Sequence, residues 1–157
     1  MREILSKSLE ETKEAAKVFL QKLLPENNCA TVVALSGDLG SGKTTFVQSI
    51  ARLLGISARV TSPTFVIMKT YDLPTTRTNF TEQNLNGQAT YNKLIHVDAY
   101  RLKKGEEIKK LGWDETISNP KNLIFIEWPE NVADAIPKNV IKINFQFIDE
   151  KTRKISF

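Results

Sequence analysis

The sequence has little of what would cross-link a chain or place it in a membrane. Its one cysteine, Cys29, excludes an internal disulfide and suits a reducing compartment. The first residues, Met1 to Lys7, contain no apolar core of signal-peptide length, and no later apolar run is long enough to cross a bilayer. From these absences we expect a cytoplasmic protein that has no membrane partner.

The composition is that of a globular protein with a modest positive charge. The 157 residues, of which 41% are hydrophobic and 25% charged, predict one domain spanning residues 1–157 and leave little room for a separate substrate domain. The formal net charge of +4 permits an acidic partner such as ATP, RNA or an acidic protein surface. The lysines at positions 103, 104, 109 and 110 are interleaved with glutamates, which favours a solvated surface over a nucleic-acid patch.

The segment from Gly37 to Thr44 fits the pattern G-x-x-x-x-G-K-[ST] of phosphate-binding P-loops. Residues 30–35 before it are typical of a buried strand, and residues 45–54 after it are typical of a helix. The glycines let the backbone wrap around a phosphate, so that successive N–H groups converge on it at the positive end of a helix. We expect Lys43 to reach the β- and γ-phosphates of a nucleoside triphosphate and the Thr44 hydroxyl to ligate Mg²⁺.

Hydrophobic patterning predicts helices and strands on both sides of this loop. A capping-box sequence from Ser8 to Glu11 predicts the start of a helix that ends before Pro25. Further strands are predicted at 65–71, 94–97, 123–126, 140–147 and 153–157, the last two paired with each other. We therefore expect an α/β fold, a P-loop NTPase-like three-layer α/β/α sandwich with a mixed central sheet.

Two of the predicted strands end in an acid, and both acids are candidates for the catalytic site. The run from Leu123 ends in Glu127, which is the form of a Walker B element, and the run from Leu94 ends in Asp98. Carboxylates at the carboxyl ends of parallel strands are the ones that can face a P-loop. There they would hold Mg²⁺ or orient the attacking water. A solvated acid at a strand end is the alternative interpretation for each.

A histidine, a tryptophan and two threonines suit supporting roles. By strand alternation His96 lies on the same face as Asp98, where either a contact behind the site or an inert hydrogen-bonded histidine fits. Trp128, beside the second acid, is either packing or a mobile reporter. Thr61 and Thr64 belong to the turn where P-loop switches place a hydroxyl that senses the γ-phosphate.

Four motifs occur in one order along the chain, at residues 37–46, 61–65, 96–102 and 126–130. With them the chain closely resembles the TsaE family, bacterial P-loop ATPases of tRNA N6-threonylcarbamoyladenosine biosynthesis. The resemblance covers most of residues 8–135 and is far more specific than the P-loop alone. It implies that the protein binds a TsaB–TsaD complex and hydrolyses ATP to support modification of adenosine 37 in tRNAs reading ANN codons. It also implies that tRNA is met only through that complex.

The resemblance also implies a role for individual residues. Mg²⁺ would be held by Thr44 and Glu127, and Asp98 would support hydrolysis as a base or from behind the metal. The adenine side would be contacted by Thr12. The nucleotide-binding residues would be Gly40, Ser41, Gly42, Lys43, Thr44 and Thr45, the catalytic residues Lys43, Asp98 and Glu127, and the switch residues Thr61, Ser62, Thr64 and Trp128.

The chain departs from the family in a polar segment at about 72–92, where the family usually has a much shorter connection. A loop of this length is either functional or disordered, and beside the site it can contact TsaD or tRNA.

Two other functions remain open. A small P-loop kinase is disfavoured because no arginines cluster into a lid, and a nucleic-acid-binding module with an unused P-loop lacks a basic stretch interleaved with aromatics. A GTPase is disfavoured because 92–95 lacks the aspartate of a guanine-reading motif.

Overall fold

A computed structural model of the chain describes residues 2–24, 26, 28–74 and 91–157. Most of the polar segment predicted at about 72–92 therefore lies outside the described residues. Within the described ranges seven strands form one sheet. They are β1 (Glu3–Ser6), β2 (Thr31–Ser36), β3 (Met68–Asp72), β4 (Lys93–Asp98), β5 (Asn122–Glu127), β6 (Ile141–Phe147) and β7 (Arg153–Ser156).

The strands are ordered β1-β7-β6-β2-β5-β4-β3 across the sheet. The four central strands run parallel, because β2 pairs in parallel with both β5 and β6, and β5 pairs in parallel with β4. The outer pairings, β3 with β4, β6 with β7 and β1 with β7, are antiparallel. The sheet is therefore mixed, as predicted, and the pairing of the last two strands is confirmed.

Helices cover both faces of the sheet. They are α1 (Leu9–Lys22), α2 (Lys43–Leu53), α3 (Gly105–Lys109), α4 (Trp113–Ser118) and a 3-10 helix (Pro129–Ala135). Since side chains alternate along β2, Val33 and Leu35 pack with α1 and α2, while Val32 and Ala34 pack in a second core with the other helices. Phe46 of α2 and Trp113 of α4 are fully buried, one in each core. This is the predicted three-layer α/β/α sandwich.

Helix α1 begins where the capping-box sequence predicted. Ser8 is the N-cap, and its hydroxyl accepts the N–H of Glu11 at 3.1 Å. The carboxylate of Glu11 in turn accepts the N–H of Lys7 at 2.6 Å. These bonds satisfy backbone donors that a helix start leaves free.

The strand predicted at 65–71 is wrong in its first three residues, since β3 begins at Met68. The N–H groups of Val66 and Ile67 donate instead to the carbonyl of Pro63, and Ile67 has a φ of +67° that no strand residue adopts. The turn that starts at Thr61 thus extends further along the chain than its proline alone indicates.

Among the helices within the described ranges, none combines the length and apolar character that a membrane crossing requires.

Candidate active site

The parallel register of the central strands brings the two predicted acids beside the P-loop. Leu35 near the end of β2 is paired with Glu127 at the end of β5, which is paired with Asp98 at the end of β4. The P-loop follows β2 directly, so all three chain segments meet at one edge of the sheet. Glu127 and Asp98 are each only 4% exposed, so neither is a solvated acid at a strand end.

The P-loop backbone depends on glycine at defined positions. Gly37, Gly40 and Gly42 all have a positive φ, the last at the N-cap of α2. Gly37 also packs so closely on β6 that a Cβ there would overlap the carbonyl oxygen of Phe145. No side chain caps the start of α2 within the described residues. Its first N–H groups are therefore available to an anion.

Lys43 is buried at the start of α2 and turned back over the loop. Its ammonium donates to the carbonyl oxygens of Gly37 at 2.6 Å and Asp38 at 2.9 Å. Burial lowers the pKa of Lys43 below its ordinary value, while nearby carboxylates, Glu127 first among them, act in the opposite direction. The site therefore holds a partly desolvated positive charge, which the negative charge of a phosphate would stabilise.

One oxygen of Glu127 joins the P-loop to β4. The hydroxyl of Thr44 donates to Oε1 of Glu127 at 2.8 Å. Nε2 of His96 lies 2.8 Å from the same oxygen and donates to it in the tautomer protonated at Nε2. His96 is fully buried, so it supports the acid from behind and does not line the cavity. The lone pairs of the Thr44 oxygen remain available to a metal ion.

Asp98 is tied to the turn that precedes β3. Its Oδ2 accepts the hydroxyls of Thr64 at 2.5 Å and Ser62 at 3.2 Å, and its Oδ1 accepts the N–H of Tyr100 at 3.0 Å. Thr61 is placed differently, because its hydroxyl accepts the ammonium of Lys69 at 2.6 Å and it does not line the cavity. Of the residues predicted to form the switch, Ser62 and Thr64 are the ones that face the acid.

Trp128 connects the acid of β5 with Lys43. It has a φ of +57°, in a left-handed conformation that costs a non-glycine residue roughly 1 kcal/mol or more. Its ring lies 4.3 Å from the Lys43 ammonium and 5.2 Å from the ring of Tyr100, centroid to centroid. This cation–π contact exists only while the Lys43 ammonium lies over the face of the indole ring, so a movement of the ammonium would break it.

We expect nucleotide binding to change the fluorescence of Trp128, because a phosphate would draw the Lys43 ammonium away from the indole. The measurement is a titration with ADP and ATP of the Trp113→Phe variant, in which Trp128 is the remaining tryptophan. The matched control is Trp128→Phe, whose remaining Trp113 is fully buried in the second core and does not line the cavity that holds Lys43, so it should not respond. An unchanged emission of Trp128 at saturating nucleotide would contradict the contact's role as a reporter.

Two cavities flank the P-loop and share Gly40, Gly42 and Thr45. One has a volume of about 300 Å³ and holds the acids, the lysine and the switch hydroxyls. The other has a volume of about 280 Å³ and includes Thr12, whose hydroxyl lies 2.7 Å from that of Ser6. The first cavity is lined by Leu39, Gly40, Gly42, Lys43, Thr44, Thr45, Ser62, Thr64, Asp98, Tyr100, Glu127 and Trp128.

The donor set beside the P-loop fits Mg²⁺. Among the described residues no group of three or more histidines, cysteines or carboxylates could hold a metal ion by itself. The hydroxyl of Thr44 and the carboxylate of Glu127 meet at 2.8 Å in the cavity. Mg²⁺ in phosphate-transfer sites is usually held by one or two protein oxygens together with waters and substrate phosphates, so these two oxygens match its needs.

A seven-stranded α/β sandwich with a P-loop at the carboxyl edge of its parallel strands defines the class of P-loop nucleotide-binding proteins. The family model described as "Threonylcarbamoyl adenosine biosynthesis protein TsaE" matches residues 6–155. The chain belongs to the TsaE family, and the resemblance drawn from its four motifs is confirmed.

Relatives and a solved structure agree with this assignment. The chain is 38% identical over 147 residues to a protein from Rickettsia bellii, covering 93% of this chain and 87% of the relative. It is 32% identical over 151 residues to one from Bacillus subtilis, covering 94% of this chain and 79% of the relative. Both are named tRNA threonylcarbamoyladenosine biosynthesis protein TsaE. The crystal structure of Bacillus subtilis YdiB superposes with a TM-score of 0.70 at 27% identity, covering 98% of this chain and 82% of YdiB.

Proposed function

We propose that this protein is a Mg²⁺-dependent ATPase of tRNA N6-threonylcarbamoyladenosine biosynthesis. The hydrogen bond of 2.8 Å between the Thr44 hydroxyl and the Glu127 carboxylate is the observation that carries the proposal. It joins the end of the P-loop to the acid of the neighbouring strand, and this pair of oxygens holds Mg²⁺ in P-loop enzymes that cleave a γ-phosphate. Membership of the TsaE family supports the pathway.

In this proposal ATP lies across the P-loop with its phosphates in the cavity that holds the acids. The N–H groups from Gly40 to Thr45 and the ammonium of Lys43 bind the phosphates, and the nucleoside extends past Thr12 into the second cavity. Thr44 and Glu127 hold Mg²⁺, which when bound neutralises charge on the β- and γ-phosphate oxygens.

The water-directing step is assigned to Asp98. Its Oδ2 accepts hydrogen bonds from the hydroxyls of Thr64 and Ser62. A γ-phosphate oxygen in the same cavity competes for these two hydroxyls. Once they turn to the phosphate, the Asp98 carboxylate is free to accept a hydrogen bond from the attacking water. Residues 61–67 before β3, which we call the switch turn, would thus report the γ-phosphate and release the acid in one movement.

We further propose that the partner is a TsaB–TsaD complex and that tRNA is reached through it. Exposed apolar side chains lie in or next to the lining of the phosphate cavity: Leu39 and Tyr100 line it, and Phe65 and Val66 directly follow Thr64, which lines it too. Clustered exposed apolar groups are typical of protein interfaces. A partner seated there would contact the elements that sense the nucleotide.

The experiment for the partner is capture of TsaB and TsaD by the immobilised protein, with and without Mg²⁺ and ATP. We expect capture in at least one nucleotide state and a reduction of about tenfold or more for Phe65→Ser, since buried aromatics dominate interface energies. Leu111→Ser is the matched control, because Leu111 is also an exposed apolar residue but lies between α3 and α4. Failure to bind in every nucleotide state would contradict the partnership and leave the ATPase proposal standing.

Family membership argues against the other two functions, a small kinase and a nucleic-acid-binding module with an unused P-loop. The intact contact between Thr44 and Glu127 also argues against an unused P-loop. We propose that residues 1–157 form a single domain, because all the described strands belong to one sheet. A cytoplasmic location stays a prediction.

A further inference from the structure

Arg153 reaches the P-loop from the last strand of the sheet. Its Nε donates to the carbonyl oxygen of Gly40 at 3.1 Å, across 113 residues of sequence. Its Cγ lies 3.9 Å from the position that a Cβ on Gly42 would take. The side chain therefore lies directly against the loop that is proposed to bind the phosphates.

The hairpin between β6 and β7 holds the guanidinium in place. Nη1 of Arg153 donates to the carbonyl oxygens of Asp149 at 2.6 Å and Thr152 at 3.1 Å, and the guanidinium lies 4.4 Å from the centroid of the Phe147 ring. The carboxylate of Asp149 accepts the N–H groups of Lys151 and Thr152, which fixes the turn itself. A planar guanidinium with several fixed bonds loses little further freedom when it meets a ligand.

The bond to Gly40 also orients the loop. In a trans peptide the C=O and the following N–H point in opposite directions. Because the Gly40 carbonyl faces Arg153, the N–H of Ser41 faces the other way, where it donates to the carbonyl of Asp38 at 3.2 Å. Arg153 thus selects one orientation of the peptide at the centre of the P-loop.

The position of Arg153 complements that of Lys43. Arg153 lines the cavity of about 280 Å³ together with Thr12, Gly40 and Thr45, whereas Lys43 lines the cavity that holds the acids. Positive charges therefore stand on both sides of the loop. In the proposed binding mode the nucleoside extends into the cavity that Arg153 lines, so the α-phosphate would pass beside Arg153. Glu150 and Lys151 of the same turn also line this cavity, and their opposite charges offset each other.

We propose that Arg153 is a nucleotide-positioning residue, which holds the Gly40 carbonyl and thereby the shape of the P-loop, and supplies positive charge beside the α-phosphate. This inference rests on the proposed binding of ATP. It assigns a role in affinity to Arg153 and none in the cleavage of the γ-phosphate, which is bound on the other side of the loop.

The test compares Arg153→Gln and Arg153→Lys with Lys154→Gln. Lys154 is the next residue, loses the same charge on substitution, and pairs with Glu3 at 3.3 Å away from the P-loop. For Arg153→Gln we expect the Kd for ADP and the KM for ATP to rise about tenfold, as for the loss of one charge-assisted hydrogen bond, with kcat within about twofold. Arg153→Lys keeps the positive charge but lacks the planar guanidinium with its several N–H donors, and it should recover part of the affinity. Lys154→Gln should match the wild type.

Affinities of Arg153→Gln that match those of Lys154→Gln would overturn the inference, and so would a fall in kcat with an unchanged KM. If Arg153→Gln does not fold, the same comparison is made with Arg153→Lys. Wild-type affinity in that variant overturns the role of the guanidinium in holding the P-loop. Wild-type protein is measured first. Its failure to bind Mg²⁺–ATP would contradict the proposed function itself and is thereby distinguished from a failure of this inference.

Discussion

Replacement of Glu127 by glutamine is expected to lower ATP turnover by roughly a hundredfold or more, which corresponds to about 2.7 kcal/mol of lost transition-state stabilisation. Glutamine keeps the shape of the side chain, and its Oε1 can still accept the Thr44 hydroxyl that now donates at 2.8 Å. It lacks the negative charge that Mg²⁺ requires of this ligand. The measurement is steady-state phosphate release with Mg²⁺–ATP in the presence of TsaB and TsaD.

The affinity for ADP without Mg²⁺ should change little in Glu127→Gln, because the P-loop amides and Lys43 carry phosphate binding. Glu130→Gln is the matched control, since Glu130 is exposed three residues further along and undergoes the same chemical change. Near-normal turnover by Glu127→Gln would contradict the assignment of this acid. Equal losses in both variants would assign the effect to the general negative charge near Lys43.

Sequence reasoning brought the residues of the candidate site to notice because its parts have local signatures. The glycine spacing of the P-loop and the two apolar strands ending in Asp98 and Glu127 can each be recognised within ten residues of sequence. The parallel order of strands then brings them to one edge without further information. The sequence cannot supply the pairings between distant side chains. The bond between Thr44 and Glu127 spans 83 residues, and that between Arg153 and Gly40 spans 113.

Elements that the patterning missed are short or depend on tertiary packing. Strand β1 has four residues and α3 has five. These lengths are too short for the alternation of a strand or the periodicity of a helix to be recognised in the sequence. The start of β3 was misplaced because Phe65 and Val66 look like strand residues, yet the structure leaves both exposed beside the site. Local propensity predicts a strand for such residues because it cannot tell an apolar side chain that enters the core from one that is exposed for a partner to cover.

Replacement of Lys43 by methionine is expected to abolish the thermal stabilisation by ADP and ATP while leaving the ligand-free protein at least as stable as the wild type. A ligand at a hundred times its Kd stabilises a protein by about 2.7 kcal/mol, or roughly 5 to 10 °C in Tm for a domain of this size. Methionine keeps the apolar stem of lysine without the buried charge. The measurement is thermal unfolding of both proteins with and without nucleotide.

The sign of the effect on the ligand-free protein follows from the pKa of Lys43. Burial lowers that pKa below 10.5, so folding disfavours the charged form, and this cost persists at every pH below the lowered value. As the pH rises from the lowered pKa towards 10.5, the free energy of unfolding of the wild type should therefore increase relative to that of Lys43→Met. Lys109→Met, at an exposed lysine of α3, should keep the full response to nucleotide. A ligand-free Lys43→Met that is much less stable than the wild type would mean that the bonds to Gly37 and Asp38 outweigh the cost of burying the ammonium.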